Sequence, residues 1–447
     1  MTGTFATRFD FEHVKVGFVS LSIVLVSACS WSRYDDLLQD SPIQMLKAPS
    51  DQSAFGRSVA ALRADTKSYA FATAYEGFAV YEFDEHDLIS NDPFKEGVCS
   101  PRDSCWLTSS TASLNHSFAA APKPCFAYGI EVLPGDTPRL TLFCIDGMLY
   151  SLPLPEPVSS AVTAWQGNAA APTIRFASGP RLAPDCLLAA LPESGALWFY
   201  PPDVDQPVTI PAPATAGKTF AEALAISGSD AQRKILVGEP DQSILRIYQV
   251  EGGNLTGASA CIQGDAHFAS ALAVGRFASS DSDGLAVASD DQIIVIGDVG
   301  NIALSDDPAA PCLALADLSE LAAHLGCAQL NAGNACNGQL ANAALAAVDL
   351  DGDAKDELII GAPAANERGS DAAGKIYLAR LRMSELEVVQ ELSPSSIESG
   401  DRFGSSIVGV PMSRPEVILA GAPGGNKLAA LFCTNLITKD QGGVRCE

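Results

Sequence analysis

The stretch "AAVDLDGDAKDELIIGAP", residues 346–363, decides how the rest of the chain reads. Asp349, Asp351, Asp353, Asp356 and Glu357 crowd into nine residues and run directly into the apolar Leu358-Ile359-Ile360. The run stops at Gly361-Ala362-Pro363, a turn composition. Like charges this close repel unless something neutralises them. Alternating residues of a tight turn can aim their carboxylates at one point. Asp349, Asp351, Asp353 and Glu357, with the carbonyl of Lys355 and water, would supply the roughly six to eight oxygens that Ca²⁺ takes. The loop is not an EF-hand, whose twelfth residue is an acid and whose sixth is Gly; here those places hold Ile360 and Ala354.

Read outward, the same order of short apolar runs recurs. "FGRSVAAL…SYAFATAYEGFAVYEF" (55–83), "FAEALAISGSDAQRKILVGEPDQSILRIYQV" (220–250) and "FASALAVGRFASSDSDGLAVASDDQIIVIGD" (268–298) share it. So do residues 340–381 and 403–432, and more weakly 124–154 and 163–200, which makes seven copies. Runs of this length between Gly, Pro, Asp and Ser read as strands, so the expected class is all-β. A period of about 50 residues with about four short strands per unit predicts a β-propeller, here of seven blades. One such sheet cannot bury both faces alone, whereas sheets set radially bury each face against the next.

These residues resemble the FG-GAP repeats of integrin α-chain propellers and of many bacterial surface proteins. Phe55-Gly56 and Phe403-Gly404 stand at unit starts, and Gly361-Ala362-Pro363 and Gly421-Ala422-Pro423 at strand ends. The Asp-x-Asp-x-Asp loop lies between them in the sixth copy, and its ninth residue, Glu357, is an acid as in the family's calcium loop. The resemblance implies one calcium site, at Asp349, Asp351, Asp353, Lys355 and Glu357. The fourth copy has Ile226, Gly228, Asp230 and Lys234 at the matching places, and the fifth has Arg276, Ala278, Ser280 and Gly284, so neither keeps the site.

The N-terminus predicts export. Lys15 precedes an uncharged apolar run, "VGFVSLSIVLV" (16–26), too short to span a bilayer, and small residues lead to Cys29. Val26-Ser27-Ala28-Cys29 is similar to the lipobox of bacterial lipoproteins, which implies a signal peptide over 1–28 and a lipid on Cys29. Residues 29–50 read as a polar tether and 51–447 as the propeller. Export would place the chain in a compartment that permits disulfides. Eleven cysteines remain besides Cys29, and the pairs close in sequence are Cys99/Cys105, Cys125/Cys144, Cys327/Cys336 and Cys433/Cys446.

The remaining signals are weaker. "APATAGKT" (212–219) fits a relaxed phosphate-binding loop, but Pro211 and Pro213 stiffen it and a strand follows instead of a helix. "RGSD" (368–371) reads as a hairpin loop turned by Gly369 and Gly374. Residues 316–336 read as the one helical passage, with Asp317 and Glu320 as a capping box and Leu318, Leu321 and Leu325 on one face. It is expected as an insertion over about 303–337.

The formal net charge of −25 argues against nucleic acid as a partner. The five His are scattered, and neither His-Glu-x-x-His nor Gly-x-Ser-x-Gly occurs, so the chain is expected not to be an enzyme. The expected role is a lipid-anchored binding or scaffolding module at a bacterial envelope, taking a protein or glycan, with adhesion among its forms. The alternatives are a propeller enzyme or hydrolase-like protein with a site at the axial mouth, and a purely structural envelope lipoprotein.

Overall fold

The computed structural model describes residues 44–47, 54–64, 67–74, 77–84, 106–108, 127–133, 139–144, 148–153, 163–166, 175–179, 186–191, 196–200, 208–228, 233–251, 254–307, 310–318, 322–326, 330, 340 and 342–432 except 351, 368, 383, 395 and 412–416. One compact unit spans Ile43–Glu447. It is an all-β propeller with almost no helix. The described strands form separate antiparallel sheets at 59–108, 127–166, 175–211, 223–263, 271–326, 344–392 and 406–432. Against the seven blades expected, five of these are described with their side chains, from Cys186 onward; the first two sheets and Arg175–Gly179 are described mostly as backbone. Innermost strands lie side by side in chain order, and Ser406–Val410 returns to Val59–Ala64.

The cores lie between sheets. In the strand Glu357–Ala362, Leu358 and Ile360 face the sheet at 271–326, while Ile359 faces the one at 406–432. In Arg233–Glu239, Ile235 and Val237 face one neighbour and Leu236 the other. Strands buried on both faces read as continuous apolar runs, not as alternating ones. Each such Leu or Ile contributes about 1.5–3 kcal/mol on burial.

Two polar devices join the sheets. At one end of the strands, Phe55, Phe220, Phe268 and Phe403 are fully buried. The residue after each, Gly56, Ala221, Ala269 or Gly404, has a left-handed backbone with φ between 65° and 83°. For Gly56, Ala269 and Gly404 the carbonyl packs on a glycine in the second strand of the neighbouring sheet. A Cβ on Gly238 would lie 2.1 Å from Ala269 O, on Gly361 2.1 Å from Gly404 O, and on Gly421 1.8 Å from Gly56 O. The Phe-Gly and Gly-Ala-Pro elements are thus the two halves of one joint, and Phe268-Ala269 fills the first half against Gly238.

At the other end, an Asp just ahead of a second strand reaches back to the preceding sheet. Asp283 Oδ2 accepts the Gly228 N–H (2.8 Å) and the Ser227 hydroxyl (3.1 Å). Asp356 Oδ2 accepts the Arg276 N–H (2.8 Å), and Asp356 N–H donates to Arg276 O (3.0 Å). Gly275 makes room for this clasp, since its Cβ would lie 2.4 Å from Ala347 Cβ.

The expected helical insertion is a correction. Ala322–Gly326 is the outer strand of the sheet at 271–326, paired antiparallel with Gln292–Ile296. Ala323 and Leu325 are buried and His324 is exposed, a period of two and not of 3.6. Val299–Asn301 and Leu315–Leu318 are short 3-10 turns, and Glu320 and Leu321 lie outside the described residues. Pairing against an open strand edge outweighed the local capping signal. The hairpin at the "RGSD" tip is as expected: Glu367 and Ser370 exchange N–H···O bonds of 3.0 and 2.7 Å, and Gly369 has φ 84°.

Candidate cation site

The acidic loop joins the inner strand Ala344–Val348 to Glu357–Ala362. Gly352 and Ala354 take left-handed conformations, φ 72° and 67°, which fold it tightly. Asp349 Oδ1 accepts the Gly352 N–H (2.8 Å) and Asp353 Oδ1 the Lys355 N–H (2.8 Å). Asp349 is half-buried, and Asp353 and the Lys355 side chain are exposed. Asp351 lies outside the described residues.

The two remaining acids have turned inward. Asp356 is the inter-sheet clasp. Glu357 is 1% exposed and holds a protein cation: its Oε1 accepts from Arg380 Nη2 (2.6 Å) and Nε (3.1 Å). Its Oε2 accepts the Leu350 N–H at 2.9 Å. Arg380, on Lys375–Arg382, therefore neutralises the buried charge that the sequence reading assigned to calcium. Among the described residues no three His, Cys, Asp or Glu side chains converge on a common metal position. Glu357 could join a cation at this loop only in competition with Arg380.

The equivalent place in the sheet at 223–263 holds the opposite charge. Lys234 pairs with Ser227 as Glu357 pairs with Val348. Its ammonium donates to the carbonyls of Val299 (2.8 Å), Gly300 (3.0 Å) and Ile302 (3.1 Å) on the next sheet's connection. Burial pulls its pKa down, against the opposing charge of Asp298. The built-in cation bridges the two sheets here.

The loop at 212–219 is closed to phosphate. The Gly217 N–H donates to Glu239 Oε1, and the Lys218 N–H to Asp241 Oδ2 at 2.8 Å. Thr219 Oγ1 donates to Asp241 Oδ1. An incoming anion would meet two carboxylates. His267 Nδ1 lies 2.6 Å from Asp290 Oδ2. The hydrogen bond to Asp290, then its charge, raises the His267 pKa, with Glu222 and Asp241 adding to the effect.

The disulfide that the described residues contain is Cys261–Cys312, with Cα atoms 4.6 Å apart. It fixes the segment 305–314 along the outer strand Asn254–Gln263. Ser259 bridges Ser305, and Leu313–Ala314 pairs in parallel with Ile262–Gln263. Sequence proximity missed this pair, which is 51 residues apart. Of the expected pairs, Cys99, Cys105, Cys125, Cys327, Cys336, Cys433 and Cys446 lie outside the described residues, as does Cys29. Cys144 is described only as the end of the strand Arg139–Cys144.

Sequence reasoning also missed Arg380 and the Lys234 carbonyl cage. The clasp was findable, because an Asp precedes the apolar run in both "SDGLAVAS" and "KDELIIGAP". Residues 341–378 match the FG-GAP repeat, from just ahead of the inner strand, through the acidic loop, to Leu378 in the third strand. No curated protein matches the chain.

Proposed function

We propose that the chain is a non-catalytic binding module: a seven-bladed FG-GAP propeller that engages a protein or glycan outside the cytoplasm. The FG-GAP repeat, set in a propeller, is the observation that carries this reading, since it suggests a protein-interaction module. The cyclic order of the inner strands supports the count of seven. The Cys261–Cys312 disulfide supports an oxidising compartment. The layout around Lys15–Cys29 supports a bacterial envelope location with a lipid on Cys29. In this reading the acidic loop binds one Ca²⁺ through Asp349, Asp351, Asp353 and the Lys355 carbonyl, as a local staple. Glu357 keeps its partner Arg380.

The test is recovery of a partner from crosslinked envelopes by the tagged full chain. A specific protein or glycan, retained over a control bead and lost on competition with untagged chain, is expected. Recovery of nothing above control would remove the binding-module reading.

A further inference from the structure

Each described sheet other than the last takes its first four strands in chain order from one stretch of sequence, that at 271–326 with Leu313–Ala314 lent to its neighbour. The last draws its outer strand, Gln44–Lys47, from the opposite end, antiparallel to Lys427–Phe432. That pairing covers four residues, Gln44↔Ala430 to Lys47↔Lys427, while the covered strand is paired over six on its other side.

The first and last sheets are joined without this strand. Ser406 Oγ donates to Gly56 O at 2.6 Å, Gly56 packs on Gly421, and Ser68 Oγ donates to Pro411 O. The inner strands Val59–Ala64 and Ser406–Val410 also lie side by side. Loss of the outer strand therefore leaves these inner contacts in place and opens only an edge. Leu428, Ala429, Ala430 and Leu431 on that edge are all 0% exposed. An open edge of this kind presents unpaired N–H and C=O groups on an apolar strand, which must find a partner.

We propose that Gln44–Lys47 is an exchangeable latch, and that the edge of Lys427–Phe432 accepts the same segment from a second copy of the chain. The complement is already specified by the register seen within one copy. Exchange reforms the same pairs, so it costs little beyond bringing two copies together.

The test uses the full chain. Alternate amides of Lys427–Phe432 face the latch and the others face Val417–Ala422. Native-state hydrogen exchange is expected to be at least about a hundredfold faster at the latch-facing amides. A fluorescent peptide of residues 41–50 is expected to incorporate into the full chain, and the same peptide with Met45→Pro and Leu46→Pro is not, because it lacks the N–H groups the edge needs. Sedimentation is expected to show a dimer that grows with concentration. Equal protection on both sides of the strand, no uptake of the peptide, equal uptake of the proline peptide, or a monomer at all concentrations would each overturn the proposal.

Discussion

The carbonyl of Gly56 occupies the space that a Cβ on Gly421 would need, 1.8 Å from that position. First and last sheets thus meet through the same joint that Gly361 and Gly404 make one sheet earlier. Gly421→Ala must push a backbone carbonyl, not a flexible side chain. A loss of about 3 kcal/mol or more is expected in urea unfolding, at the upper end for overpacking. A loss under about 1 kcal/mol would mean that the joint is loose.

The joint also predicts a gain. Ala221 and Ala269 carry φ of 65° and 66° where Gly56 and Gly404 stand in other sheets. A left-handed Ala costs about 1–2 kcal/mol, partly offset by the greater unfolded freedom of glycine. Ala221→Gly and Ala269→Gly should each stabilise by a few tenths to about 1 kcal/mol, read from the denaturation midpoint.

Glu357 and Arg380 form a pair whose carboxylate is nearly inaccessible, with side-chain exposures of 2% and 19%. Removing one partner leaves the other charge stranded. Arg380→Met and Glu357→Gln are each expected to cost about 3–5 kcal/mol, and the double variant less than their sum. A strictly additive double variant would show that the pair is not coupled.

Calcium should act on the surface acids and not on that pair. A thermal melt of the chain with calcium, against chelator, is expected to rise by the equivalent of about 2.7 kcal/mol at a hundredfold excess over the dissociation constant. Asp353→Ala should remove the rise. No rise in the unaltered chain would mean that the loop's own amides and Arg380 satisfy its charge.

His267 supplies a pH dependence whose sign is fixed. Its folded pKa is raised by Asp290, so the contribution is full below the unfolded value of about 6.5 and fades as pH rises through the folded value. The group is 59% exposed, so the effect is small and screened by salt. Asp290→Asn should flatten stability across that window and lower the His267 midpoint in an NMR titration. An unchanged midpoint would remove Asp290 as the cause.

The fold was legible because its repeats are. Leu358-Ile359-Ile360 and Ile235-Leu236-Val237 are buried on both faces, and that produces the recurring apolar runs by which the sheets announce themselves. The stretch around Leu318–Leu325 misled because an apolar spacing of three and four residues also fits a short strand flanked by turns, and pairing with Gln292–Ile296 is a contact that no local window contains. The site was half legible for the same reason. Asp349 and Asp353 bond within their own loop, which spacing reveals. Glu357 meets Arg380 across a strand, and Asp356 meets Arg276 across a sheet boundary, 80 residues away. Phe268-Ala269 in place of Phe-Gly hid a joint, because composition marks a glycine and not the backbone angle it serves.

The segment held along Asn254–Gln263 by Cys261–Cys312 comes from the connection that follows Gln292–Ile296 in the next sheet. The sheets at 223–263 and 271–326 are therefore tied by a covalent bond besides the main chain. A chimera that swaps either alone would carry a dangling thiol and a bare edge. A transplant that keeps this bond has to carry both sheets as a single cassette.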